Sequence, residues 1–326
     1  MGTAAQLQHS SSLRSWLPNL DRDRIRIGDV LVDNCSFEQA ASAIVSYAVA
    51  GGPPAYVVTP NAQHIVLVEN DARLREIYER ADLIVADGIS LVLAARVFGR
   101  ELHERVAGVD LFERLCELAA ESGLRVFFLG GRPGSADLTA AKLLEQYPNL
   151  KVTTYCPPMR FEHSPDELRR TAEIVERARP DLLFVGFGAP KQEFWIYEHG
   201  LRLGAAVSIG VGGTFELVAG VVPRAPKWVQ NIGTEWLYRL CMEPRRLWRR
   251  YLIGNAQFCG LVLQQGWRRA LVSAVLSILR EEKFAEELKE PSLRRKAEEF
   301  VTSVGKRQPM TSKETRAMIA GGNLQS

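Results

Sequence analysis

The sequence predicts an α/β fold, a Rossmann-like and mostly parallel sheet with helices on both faces, followed by a helical C-terminal appendage. Three observations carry this. Short β-type runs alternate with segments whose apolar residues recur at helical spacing. Three of the runs end in glycine loops that open the next helix, at 130–134, 186–188 and 210–213. After residue 226 the alternation gives way to a stretch rich in arginine and tryptophan. Strand, glycine loop and helix in succession is the pattern of a parallel sheet covered on both sides.

In chain order, residues 1–22 are polar, Ser-rich and expected to be flexible. Ile25 to Val32 alternates as one strand, and Ser36 with Gln39 forms a capping box for a helix reaching Ala50. Gly51-Gly52-Pro53-Pro54 ends that helix. Tyr56 to Val58 and Leu83 to Val85 read as strands, with one or two helices over Ala62 to Tyr78 between them. A helix over Asp110 to Glu121 precedes the buried strand Arg125 to Leu129 and the helix Ala136 to Gln146. A strand near Val152, a helix over Pro165 to Ala178 and the strands Leu182 to Val185 and Ala205 to Ile209 complete a domain spanning 23–226.

Length and composition narrow the function. At 326 residues and 46% apolar content the chain can bury a large core. A net charge of +3 argues against nucleic acid as a partner. The five cysteines form no CxxC pair and no metal-ligand spacing with the five histidines, which suits a reducing cytosol. The first twenty residues lack the apolar core of a signal peptide, and no run of about twenty apolar residues spans a membrane. The catalytic part is expected in the cytoplasm.

The candidate site lies where strands give way to helices. Thr59-Pro60-Asn61 and Asp87-Gly88 each follow a β-type run, at the sheet edge where open α/β folds bind ligands. Asn61 and Asp87 would serve equally as helix caps. The glycines of the three loops, Gly130, Gly131, Gly186, Gly188, Gly212 and Gly213, let backbone N–H groups approach a phosphate. No P-loop is present, and GFGAPK and GVGGTF both lack the third glycine of a dinucleotide fingerprint. A nucleotide-type ligand other than a dinucleotide is therefore preferred, with a nicotinamide oxidoreductase as the alternative. The only Asp-x-Asp pair, Asp21-Arg22-Asp23, precedes the first strand, so no metal is expected to hold a diphosphate. Arginine, lysine and helix N-termini would meet that charge instead.

From Trp228 to Arg250, tryptophans 228, 236 and 248 interleave with arginines 239, 245, 246, 249 and 250. Such a segment suits an anionic membrane surface, with rings at the headgroup level and guanidinium groups on phosphates. The alternatives are an ordinary helix with core tryptophans, or a non-catalytic membrane scaffold. Residues 254–281 read as an amphipathic helix that could meet the membrane, the domain or a second subunit in a homo-oligomer, and residues 282–326 as a charged, mobile tail.

Over residues 25–253 the chain resembles the WecG/TagA/CpsF family of bacterial glycosyltransferases, glycosyltransferase family 26. The resemblance rests on TPNAQ at 59–63, ADLIVADG at 81–88, RVAGVDL at 105–111, FFLGG at 127–131, GFGAPKQE at 186–193, GVGGTFELVAG at 210–220 and the arginine-rich segment at 227–253. It implies a metal-independent, inverting transfer from a UDP-sugar, commonly of N-acetylmannosamine type, to a polyprenyl-diphosphate-linked saccharide, with no cofactor. The enzyme would be peripheral on the inner face of the membrane. Residue by residue, it makes Asp87 the general base, with Thr59, Asn61, Arg105 and Gln192 around the same pocket. Glu216 falls in the nucleotide-binding end, beside the glycine loops and Lys191. Arg239, Arg246 and Arg249 match arginines that meet the diphosphates and the lipid acceptor.

Overall fold

A computed structural model describes Leu13 and residues 24–231, 234–248 and 252–280. The chain divides into two compact units, Met1–Cys259 and Gly260–Ser326.

The first unit opens with a hairpin, β1 (Arg24–Ile27) and β2 (Val30–Asp33), where the sequence suggested one strand over 25–32. The difference lies at Gly28-Asp29. Gly28 takes φ 57°, which a two-residue hairpin turn requires and glycine adopts without strain. Helix α1 (Phe37–Ala50) carries the expected Ser36–Gln39 capping box and stops at Gly51 in the left-handed region.

The main sheet holds β3 (Ala55–Val58), β4 (Leu83–Ile84), β5 (Arg125–Gly130), β6 (Lys151–Tyr155), β7 (Leu182–Gly186) and β8 (Val207–Gly210). All its pairings are parallel, and the strand order is β4-β3-β8-β7-β5-β6. Between the strands run α2 (Ala62–Asn70), α3 (Ala72–Arg80), α4 (Ile89–Val97), α5 (Gly108–Ser122), α6 (Ser135–Gln146), α7 (Pro165–Ala178) and α8 (Lys191–Glu198). The last strand leads into the short α9 (Thr214–Val218).

Strand alternation separates two buried faces. Ala55, Val57, Val126, Phe128, Leu182, Phe184, Val207 and Ile209 join α1, α5, α6 and α9 in one apolar core, which also takes in Leu13. At its centre Phe112, Phe128, Phe184 and Phe215 meet with ring centroids 4.8–5.9 Å apart, most of them edge to face. The intervening residues, Tyr56, Leu183, Val185 and Ser208, point to the opposite face. Helices α2, α3 and α8 cover that side and bring buried polar groups to it, Tyr78 and Glu193 among them.

Beyond the sheet the arginine and tryptophan stretch is three short helices, α10 (Lys227–Asn231), α11 (Glu235–Met242) and α12 (Pro244–Trp248). Pro244 lacks a backbone N–H and so opens a new helix more readily than it continues one. Helix α13 (Gly254–Arg280) follows, and its residues from 260 onward are the described part of the second unit. No helix among the described residues is long and apolar enough to cross a membrane.

Candidate active site

Thr59, Asn61 and Asp87 come together at the C-terminal ends of β3 and β4. The Asp87 N–H donates to the Pro60 carbonyl at 2.9 Å, locking the two polar clusters side by side. Asp87 Oδ1 accepts the Gly108 N–H at 2.7 Å at the start of α5. A methyl group added at Gly108 would lie 3.3 Å from Thr59 Oγ1 and 3.6 Å from Asp87 Oδ1, so both side chains rest on that bare Cα. Thr59 Oγ1 also reaches the Gly210 carbonyl at 3.5 Å, which ties this corner to the end of β8. Asn61 does cap α2, its Oδ1 accepting the Gln63 N–H at 3.1 Å.

Burial pushes the Asp87 carboxyl above the ordinary aspartate range. The Gly108 N–H and the Arg105 and Arg239 guanidinium groups pull it back, and Glu235 pushes it further up. Arg105 stands 3.9 Å from Glu235 at the first turn of α11. Arg105 from the loop before α5, with Glu235 and Arg239 from α11, thus sets the field at one carboxylate.

The glycine loops form the second half of the site. The Gly131 N–H donates to the Gly186 carbonyl at 3.0 Å, joining the loops after β5 and β7. Gln192, buried in the first turn of α8, accepts the Gly188 N–H at 3.2 Å and the Gly212 N–H at 2.9 Å, joining the loops after β7 and β8. Glu216 Oε1 accepts the Arg132 N–H at 2.8 Å, while its buried Oε2 has no hydrogen-bond partner. An added methyl at Gly213 would lie 3.5 Å from that Oε2 and 3.7 Å from the Arg239 guanidinium. Glu216 and Arg239 therefore flank one glycine. Lys191 pairs with Glu162 on an exposed turn. Arg246 lies in α12, and Arg249 falls outside the described residues.

Gly130 shows how tightly these loops are built. It holds φ 93°, and a Cβ there would sit 2.6 Å from the Phe187 ring. Gly130→Ala is expected to cost about 1–3 kcal/mol through overpacking and backbone strain, read as a lower denaturant midpoint.

Four residues of the site were not singled out from the sequence: Gly108, Arg132, His64 and Glu193. Gly108 lies inside RVAGVDL, Glu193 closes GFGAPKQE and His64 directly follows TPNAQ, so the motifs contained or adjoined the signal without ranking it. Among the described residues no three His, Cys, Asp or Glu side chains converge as metal ligands.

A family model described as the glycosyl transferase WecG/TagA/CpsF family matches residues 25–271. The chain belongs to the WecG/TagA/CpsF glycosyltransferase family. The match runs into α13, further than the motifs at 25–253 had indicated. Two curated relatives, from Bacillus spizizenii and Bacillus subtilis, are each named N-acetylglucosaminyldiphosphoundecaprenol N-acetyl-beta-D-mannosaminyltransferase. Each is 32% identical over 198 residues, covering 61% of this chain and 75% of its own length. Membership makes this glycosyltransferase an enzyme, and sets aside the nicotinamide oxidoreductase and the non-catalytic scaffold.

Proposed function

We propose that this WecG/TagA/CpsF glycosyltransferase transfers a sugar of N-acetylmannosamine type, or a related hexose or uronic acid, from a UDP-sugar to a polyprenyl-diphosphate-linked saccharide. The product feeds a bacterial cell-surface polysaccharide. The carrying observation is the half-buried Asp87 carboxylate, set on Gly108 beside Thr59 and in the field of the Arg105 and Arg239 guanidinium groups. The names of the relatives support the acceptor and the N-acetylmannosamine donor group.

In the proposed step an acceptor hydroxyl oxygen attacks the anomeric carbon from the face opposite UDP. Its proton passes to Asp87, the bond from the anomeric carbon to the diphosphate oxygen breaks, and UDP leaves with the electron pair. This inverts the anomeric centre. Desolvation suits Asp87 to the task, because a carboxylate with a raised proton affinity is a better base. The Gly131, Gly188 and Gly212 N–H groups, expected from the sequence to meet a phosphate, already donate to Gly186 and Gln192. Negative charge growing on the diphosphate therefore meets the guanidinium groups of Arg105 and Arg239, joined by Arg246 and Arg249, without a metal. Trp228, Trp236 and Trp248 are exposed, which fits a peripheral position on the inner face of the membrane.

The test is UDP release from a panel of UDP-sugars with a lipid-linked acceptor in detergent, with and without EDTA. Turnover with one donor, unchanged by chelation, is expected. Turnover abolished by EDTA and restored by magnesium or manganese would overturn metal independence, and silence with every donor would overturn the donor class.

A further inference from the structure

Behind the crevice, on the sheet face covered by α2, α3 and α8, lies a buried ionisable pair that the transfer step above does not use. His64 is 8% exposed and Glu193 is 1% exposed, and His64 Nε2 stands 3.9 Å from Glu193 Oε1. Each member is tied to an amide of the site. Gln192 Nε2 donates to Glu193 Oε1 at 2.9 Å. His64 Nδ1 lies 2.9 Å from Asn61 Oδ1.

The orientation of both amides follows from backbone donors. Gln192 Oε1 accepts two N–H groups, so its Nε2 must be the end that faces Glu193. Asn61 Oδ1 accepts the Gln63 N–H, so the atom 2.9 Å from the imidazole is an oxygen, which only accepts. That contact needs a proton on His64 Nδ1. The competing contact, from the Asn61 backbone N–H to the same nitrogen, needs a bare Nδ1 and is longer at 3.3 Å. With Nδ1 protonated, a neutral ring would turn its other lone pair toward a buried carboxylate. Protonation of Nε2 replaces that repulsion with attraction. A cation in the first turn of a helix opposes the helix dipole, and the Glu193 carboxylate 3.9 Å away offsets that cost. Tyr56 and Tyr78 fit this picture: burial first, and the Glu193 charge second, hold both phenols well above their ordinary range.

We propose that His64 and Glu193 form a buried imidazolium–carboxylate pair that acts as a positioning device for the site. It holds Asn61 with Oδ1 inward, so that Asn61 Nδ2 is presented to the crevice as a donor for a sugar hydroxyl or N-acetyl oxygen. Through Gln192 it also links Asn61 to Gly188 and Gly212, so the acceptor corner and the donor loops share one rigid polar chain. The sugar contact rests on the glycosyltransferase step proposed above; the charge pair and its hold on Asn61 do not.

The test uses the full chain and two readouts. In imidazole ¹⁵N spectra, with His64 assigned by loss of its signals in His64→Gln, both nitrogens are expected to be protonated. Glu193→Gln should return the ring to a neutral form, and Asn61→Ala should shift Nδ1. A neutral ring in the parent protein, or nitrogen signals indifferent to Glu193→Gln, overturns the pair. In kinetics, Glu193→Gln is expected to lower kcat about tenfold or more with donor KM within about threefold, because it loosens a group rather than removing a ligand. His64→Asn, which keeps a polar atom near the Nδ1 position, should retain more activity than His64→Gln, which keeps one near Nε2.

The double variant Glu193→Gln/Asn61→Ala should be no worse than about threefold below Asn61→Ala alone, since coupled residues are not additive. Effects that multiply instead overturn the positioning role. A fall in melting temperature with unchanged kinetics would likewise reduce the pair to a structural one. Absence of turnover in the parent protein overturns the proposed donor class, and the nitrogen spectra then decide the pair independently.

Discussion

Asp87→Asn is expected to lower kcat by about 10²–10⁴-fold while leaving UDP affinity nearly unchanged, the range for losing a positioned general base. The amide retains an oxygen for the Gly108 N–H, so the local geometry survives and only the proton acceptor is lost. The same carboxyl sets a pH signature. Its proton affinity is raised in the folded protein by burial, so the acid limb of kcat should lie above the ordinary aspartate range. Activity falls as pH drops through that raised value, because the protonated acid cannot take the hydroxyl proton.

Stability runs the other way. A carboxyl with a raised folded pKa favours folding while it is protonated, and that contribution is lost as pH rises from the unfolded value through the folded one. At neutral pH Asp87→Asn should therefore melt higher than the parent while turning over far less substrate. Equal activity in variant and parent would move the base elsewhere. A lower melting temperature would contradict the burial of charge at this position.

Phe215→Ala is expected to be the most destabilising of the substitutions considered, at about 3–5 kcal/mol, a large share of the roughly 5–15 kcal/mol that holds a domain together. The ring is fully buried and packs on Phe112 and Phe128, with centroids 5.7 and 5.3 Å away. It is also the surface against which two glycine loops close. A Cβ at Gly186 would lie 2.8 Å from it and one at Gly131 3.0 Å. Truncation would leave a cavity under the donor loops, so UDP affinity should fall together with the denaturant midpoint. Phe215→Leu should recover part of both. Unchanged UDP binding in a destabilised Phe215→Ala protein would show that the loops do not depend on the core beneath them.

Much of this was legible in the chain because the relevant signals are local. The β-type runs, the capping box at Ser36 and the glycine loops mark strands, helix starts and turns within a few residues of themselves. The adjacency of Thr59 and Asp87 was legible for a related reason: residues that follow parallel strands share one edge of the sheet, whatever their distance in sequence. The hairpin at Gly28-Asp29 was missed because a two-residue turn interrupts an apolar alternation without obscuring it. His64 and Glu193 were missed for a deeper reason. Each looks like a helix-surface residue in its own segment, and only the arrangement of α2 and α8 around α3 turns them into a buried pair. Gln192 was assigned to the pocket from its motif, but its bonds to Gly188 and Gly212 depend on how two loops approach in space.

The strand order carries a consequence for biosynthesis. β8 is the last strand of the main sheet in sequence, yet it stands between β3 and β7 and bridges the β4-β3 pair to the β7-β5-β6 set. A nascent chain that has not reached Val207 holds two partial sheets, each with an open edge and no strand to join them. Closure and assembly of the catalytic corner then coincide, because the segment that fills the gap also supplies Gly210, Gly212 and Gly213. Ribosome-bound chains should gain protection of the Ala55 amide, which donates to the Ala206 carbonyl, only once residues past about 210 have left the exit tunnel, whereas the Tyr56 amide, bonded to Asp82, does not wait for β8.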